Sequence, residues 1–114
     1  MYNVLFHLND EDTVEDTLNN IKNLFLDLES DEEEVKVQLV VHSKGVYPLK
    51  RNMNVYRNKI LALMKDGLSV TVCANTLEEL NLEKEDLIEG ITVVSSGVGE
   101  IVRKQKQGWI YIKP

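Results

Sequence analysis

Cysteine, proline and positive charge are all scarce in this chain. There is one cysteine, Cys73, so an internal disulfide is excluded, and no Cys pair has the spacing of a metal knuckle. No metal and no cofactor is expected, and a reducing cytoplasm is the default compartment. Thirteen Lys and Arg face nineteen Asp and Glu, for a net charge of −6. That balance argues against general nucleic-acid binding, which needs cations to neutralise phosphates. No apolar run reaches membrane-spanning length. Met1-Tyr2-Asn3 leads directly into an apolar stretch with no basic n-region, so no secretory signal is expected. The two prolines, Pro48 and Pro114, mark no low-complexity linker, and no internal repeat is present. With 114 residues, 43% hydrophobic and 28% charged, the chain fits one globular domain over 1–114 with one core.

What is present is an alternation of short apolar runs with amphipathic stretches. Tyr2 to Leu8 reads as a buried parallel strand. Asn9 to Thr13 is a turn in which Asp12 or Thr13 can cap the next helix. Val14, Leu18, Ile21, Phe25 and Leu28 then fall on one helical face. The five carboxylates between Glu29 and Glu34 lack the alternating ligands and central glycine of a calcium loop and read as a solvated turn. Val35 to His42 is a second strand, and Ser43-Lys44-Gly45 ends it. Val46 to Asn52, with Pro48 and Lys50-Arg51, reads as a loop. Met53, Tyr56, Ile60 and Met64 mark a second helix, capped by Asn52 or Asn54 and closed by Gly67. Leu68 to Cys73 is a third strand, rich in β-branched residues. Thr76-Leu77-Glu78-Glu79 has the form of a capping box for the helix that follows. A further turn is expected from Glu83 to Ile88, a fourth strand over 91–95, a helix opened by Ser96-Gly97-Val98-Gly99, and a last strand over 109–112. Strands alternating with helices imply βαβ units. The expected fold is a three-layer α/β/α sandwich with a mainly parallel sheet of about five strands.

In open α/β sheets ligands bind outside the carboxyl ends of the strands. His7, His42 and Cys73 end three of the expected strands, and Ser95-Ser96-Gly97 ends a fourth. Cys73 is either a small buried hydrophobe or a nucleophile whose thiolate needs a cation or a helix N-terminus beside it. His42 is either bonded to backbone or a base toward a thiol, with Lys44 free to hold an anion. His7 reads more readily as a satisfied core residue. Ser96-Gly97-Val98-Gly99 is either a tight connection or an anion site at a helix start. It is only a fragment of the dinucleotide fingerprint, because Val102 stands where a sixth-position Gly or Ala is needed. Trp109 and Tyr111 alternate with Ile110 and Ile112, and a strand with large groups on both faces suggests burial at a subunit contact.

The chain resembles the DsrE/DsrF-like family of small α/β proteins, which includes sulfur-relay subunits. The resemblance rests on Val4-Leu5-Phe6-His7, on Val40-Val41-His42-Ser43-Lys44-Gly45, and on Val70-Thr71-Val72-Cys73-Ala74-Asn75-Thr76. It continues through Val93-Val94-Ser95-Ser96-Gly97-Val98, Gln105 and Gly108-Trp109-Ile110-Tyr111-Ile112, so it covers nearly the whole chain. It implies an α/β/α fold and assembly into homotrimers or homohexamers. It also implies a cysteine that accepts sulfur as a persulfide and passes it on, a role for which Cys73 is the only candidate. Relay subunits carry basic residues after that cysteine, whereas Leu77-Glu78-Glu79-Leu80-Asn81 is acidic. The expected function is therefore a cytoplasmic sulfur-handling protein, with Cys73 carrying sulfur, His42 assisting, and a sulfur donor or acceptor protein as partner. The candidate ligand-binding residues are Lys44, Gly45, Asn75, Thr76, Ser96 and Gly97. The alternative is a non-catalytic oligomeric module that binds a small anion in the same crevice, with Cys73 as a wall residue.

Overall fold

Val, Leu and Ile dominate the strand runs because both faces of the sheet they form are largely covered. The computed structural model describes residues 1–52 and 55–114. Met53 and Asn54, expected to begin or cap the second helix, lie outside the described residues. Five strands, β1 (Tyr2–Leu8), β2 (Val35–Val41), β3 (Leu68–Cys73), β4 (Thr92–Val94) and β5 (Ile110–Ile112), form one sheet. Its order is β4-β3-β2-β1-β5, and every pairing is parallel. Four α-helices are interleaved among the described residues: α1 (Val14–Leu28), α2 (Arg57–Lys65), α3 (Ala74–Glu79) and α4 (Gly97–Lys106). The expected α/β class with a five-stranded parallel sheet is what the chain adopts.

Register decides which residues share a face. Val4, Phe6 and Leu8 pair with Val37, Leu39 and Val41, and these with Leu68, Val70 and Val72. Together with Val14, Leu18 and Ile21 of α1 and Ile60 and Leu63 of α2 they make one continuous core. Each such side chain stabilises the fold by about 1.5–3 kcal/mol relative to leaving it in water. The opposite face carries Leu5, His7, Gln38, Thr71, Cys73 and Tyr111. There α4 packs on β2 and β3. This second face is polar at its centre, where Gln38 Nε2 donates to Thr71 Oγ1 at 3.0 Å and to Glu100 Oε2 of α4 at 2.9 Å.

The chain steps outward from β1 to β4, and α4 then carries it back to β5 beside β1. The strand order thus reverses between β1 and β5, where α/β sheets leave a crevice at their carboxyl ends.

Several local expectations change. Thr76 makes no capping box, because α3 begins at Ala74 and Cys73 is its N-cap residue. The Thr76 hydroxyl lies within the first turn and accepts the Ser43 N–H instead. The segment expected as a loop is mostly a 3-10 turn, Ser43–Leu49, with Pro48 inside it. Asn52 does not cap α2, whose N-cap is Tyr56. At the start of α1 it is Asp10, rather than Asp12, whose carboxylate accepts the Thr13 N–H (2.9 Å) and hydroxyl (3.1 Å). Between α3 and β4 a short 3-10 turn, Lys84–Asp86, forms with Glu83 and Asp86 as a reciprocal cap. The last strand spans only Ile110–Ile112 and, lying at the sheet edge, leaves Ile110 and Tyr111 exposed in the single chain.

Candidate functional site

Because every strand is parallel, β1, β2, β3 and β5 deliver their last side chains to one edge. Cys73 ends β3, and α3 starts at the next residue. The same edge receives the N-terminus of α4, whose N-cap Ser96 accepts the Gly99 N–H at 3.0 Å. Gly97, the first residue of α4, is buried against two of the candidate residues. A methyl group in place of its hydrogen would lie 3.2 Å from Cys73 Cβ and 3.3 Å from His42 Cβ. Only a glycine lets the helix end come this close.

Cys73 is 7% exposed. Burial pushes its thiol pKa up, but the N–H groups of Gly97, Thr76 and Asn75 and the Thr76 hydroxyl outweigh that and hold it below the ordinary value. These donors come from the starts of α3 and α4, where N–H groups have no partner within the helix. The Ser43 N–H donates to Thr76 Oγ1 at 3.0 Å, which fixes the hydroxyl and leaves its hydrogen for the sulfur. Ser43 holds this position in the left-handed region, with φ of 54°. Such a conformation costs a non-glycine residue about 1–3 kcal/mol and persists where surrounding bonds enforce it.

Beside the thiol is a pair of imidazoles. His7 Nε2 and His42 Nε2 are 2.7 Å apart. Their other nitrogens meet Tyr111 Oη at 2.6 Å and Ser43 Oγ at 2.9 Å. Burial, then the charge of the neighbouring His42 and of Lys113, push the His7 pKa down to about 4. Burial and Lys113 lower that of His42. Both rings are therefore neutral at pH 7.

The sequence-derived candidates thus separate. Cys73, Thr76, Gly97 and His42 come together. Asn75 contributes its backbone N–H, while its residue as a whole is exposed. Both ring nitrogens of His42 are engaged by His7 and Ser43 rather than by the thiol. Lys44 is exposed on the 3-10 turn, and the cation facing the imidazoles is Lys113. Gly45 has a packing position, since a Cβ there would lie 2.6 Å from the Leu8 carbonyl oxygen. His7, placed at this edge but read as a satisfied core residue, joins the site, and Tyr111, Ser43 and Lys113 join it without having been singled out for it. The available signal was that His7 and Tyr111 end strands on the same face, which matters only once β5 is known to lie beside β1. A cleft of about 660 Å³ between Glu11, Tyr47, Pro48 and Tyr56 shares no lining residue with this cluster.

Comparisons with known proteins agree with the fold. The chain is similar to the protein of unknown function MTH1491 from Methanobacterium thermoautotrophicum, at 39% identity and a TM-score of 0.92 over all of both chains. It shares its fold with the ychN protein from E. coli (14% identity, TM-score 0.77, all of both chains). It also shares it with the protein of unknown function BT1422 from Bacteroides thetaiotaomicron (16% identity, TM-score 0.73, 98% of this chain and 95% of that one). No curated protein matches the chain. The model of the DsrE/DsrF-like family matches residues 4–114, and with Cys73 seated at the carboxyl edge of an all-parallel sheet, the chain belongs to the DsrE/DsrF-like family.

Proposed function

We propose that this protein carries sulfur as a persulfide on Cys73. The observation that supports it is a nearly buried thiol seated at the starts of both α3 and α4, with Gly97 packed against its Cβ, where the N–H groups of Gly97, Thr76 and Asn75 and the Thr76 hydroxyl lower its pKa. Such a cradle favours an anion on that sulfur over a neutral thiol. It serves a thiolate attacking a sulfur donor, and it serves equally the terminal anion of a persulfide once loaded. His42 fixes the Ser43 side of the pocket through its Nδ1. The setting is cytoplasmic, and no helix among the described residues is long and apolar enough to cross a membrane.

The protein acts as a homo-oligomer, a trimer or hexamer. Val98 and Val102, one turn apart on α4, are 57% and 62% exposed, and Ile110 on the edge strand is 52% exposed. Val98 and Val102 lie on the helix that covers the site's face, and Ile110 lies on the other face of the edge strand in register with Val4; a second copy would shield them.

Intact-mass measurement after incubation with a low-molecular-weight persulfide tests the central claim. The wild type gains one sulfur, and Cys73→Ser gains none while keeping fold and assembly. Alkylation rate plotted against pH should have its midpoint below 9.0, the ordinary thiol value. A native thiol that stays inert to alkylation and takes up no sulfur, while the unfolded chain reacts, would overturn the proposal. The crevice would then be better read as a small-anion site with Cys73 in its wall.

A further inference from the structure

The turn after β1, the 3-10 turn after β2 and the start of α2 border the cleft of about 660 Å³ that lies apart from the thiol. Small-molecule sites occupy about 300–1,000 Å³. Tyr47, Pro48, Val55 and Tyr56 give the cleft aromatic and aliphatic walls. Tyr47 is 38% exposed and Val55 84%, so part of this apolar surface faces water. Glu11 and Asp12 add two carboxylates, against Lys50 as the one cation among the described residues that line it. Neither carboxylate has a hydrogen bond or an ion pair among the described residues, whereas Lys50 already has a partner. The start of α1 does not use them either, because Asp10 accepts the Thr13 N–H at 2.9 Å and its hydroxyl at 3.1 Å.

The rest of the fold holds these walls in place. Val46 and Leu49 of the 3-10 turn are buried in the core, and the Tyr56 side chain packs against it. Lys50 forms an antiparallel bridge with Leu87. On either side of that bridge the Ile88 N–H donates to the Leu49 carbonyl at 2.9 Å, and the Arg51 N–H to the Asp86 carbonyl at 2.8 Å. The Tyr56 carbonyl accepts the Ile60 N–H at 2.9 Å, which fixes the start of α2. A ligand therefore meets a preformed surface and loses little free energy to ordering it.

We propose that this cleft is a second site, which binds a small organic cation: an ammonium group carried on a flat apolar body. The faces of tyrosine rings carry negative potential, so the same walls accept an apolar body and attract a positive charge. Glu11 and Asp12 supply the countercharge. An anion of the same size meets two carboxylates and a lysine that is already partnered, and is repelled. A neutral molecule uses the walls and gains nothing from the carboxylates. The site shares no lining residue with Cys73 or the imidazoles, so it stands whether or not the thiol carries sulfur.

Three probes of one size and three charges test it: benzylammonium, benzyl alcohol and benzoate, titrated into the full chain at pH 7 and followed by NMR of the tyrosine rings. Benzylammonium should shift the Tyr47 and Tyr56 signals and bind about tenfold more tightly than benzyl alcohol, with benzoate weakest. Raising the salt concentration should weaken benzylammonium and leave benzyl alcohol unchanged. The double variant Glu11→Gln, Asp12→Asn should bring the two affinities together. Tyr47→Leu keeps an apolar wall but removes a ring face, and should weaken the cation more than the alcohol. All three positions are exposed, so the variants should keep the wild-type melting temperature and Cys73 alkylation rate. Equal affinities for the three probes, or a preference for the cation that survives the double variant, would overturn the site. So would ring shifts that grow with protein concentration in the absence of any probe, because a second copy would then cover the cleft.

Discussion

An imidazole placed against a second imidazole is more stable neutral than charged. His7 shows the consequence most clearly, because burial and the facing His42 and Lys113 lower its pKa from 6.5 to about 4. Between those values the unfolded chain holds a proton on this residue that the folded chain does not. Stability must therefore rise with pH through this window and fall on acidification, with the contribution fully present above pH 6.5 and gone below about pH 4. His42 acts in the same direction. Urea unfolding at a series of pH values from 7 to 4, buffered at about constant ionic strength, should show this slope in the wild type and a flatter one in His7→Phe. Equal slopes in the two proteins would mean that the acid sensitivity arises elsewhere, in the nineteen carboxylates for example.

Two glycines at element ends look alike in sequence and behave differently by distance. Gly45 lies in the 3-10 turn after β2, and a Cβ there would sit 2.6 Å from a backbone oxygen, that of Leu8 in β1. The Leu8 carbonyl ends β1 and is held by the His42 N–H at 3.2 Å, so it has little freedom to move aside, and Gly45→Ala should destabilise the fold by about 1–3 kcal/mol. Gly97 starts α4, and its added methyl would meet side-chain carbons of Cys73 and His42 at 3.2 and 3.3 Å. A shift of a few tenths of an ångström relieves that contact, and alanine favours the helix by up to about 1 kcal/mol over glycine. Gly97→Ala should therefore leave the unfolding midpoint nearly unchanged. The same small shift draws the Gly97 N–H away from the sulfur, so the pH midpoint of Cys73 alkylation should rise. A stability loss at Gly97 as large as that at Gly45 would contradict this division of roles.

At the scale of the molecule the two sides of the sheet are unequal. One side has α1 and α2 over a continuous apolar core, whereas the other has α4 over a polar centre with the thiol and imidazoles at its edge. Val98 and Val102 leave the outer surface of α4 apolar, beside a three-residue edge strand with unpaired backbone groups. Burying these groups between copies answers both exposures. Light scattering of the wild type should give a trimer or hexamer at micromolar concentration, and Val102→Glu should shift it toward monomer without loss of helix content. A wild-type monomer under those conditions would sink the assembly proposal and leave the thiol chemistry untouched.

The elements themselves were legible in the amino-acid sequence, because each depends on neighbours within a few residues. The apolar run of β1, interrupted only by Asn3 and His7, the i, i+3, i+4 stripe of α1 and the serine-led start of α4 express local preferences that the fold keeps. Cys73 at the junction of β3 and α3 was legible for the same reason, and so was the parallel sheet, from strands alternating with helices. Local pattern also misled where a tertiary partner claimed a side chain. Thr76 has the spacing of a cap, but its hydroxyl bonds to Ser43, 33 residues away. The site was legible only in part, since Cys73 and His42 end adjacent strands while His7 and Tyr111 are 104 residues apart. No periodicity states that the fifth strand returns to lie beside the first. That placement follows from the crossing of α4 over the second face of the sheet. It is this crossing, set by packing across the whole chain, that joins two histidines, a serine and a tyrosine into one line beside the thiol.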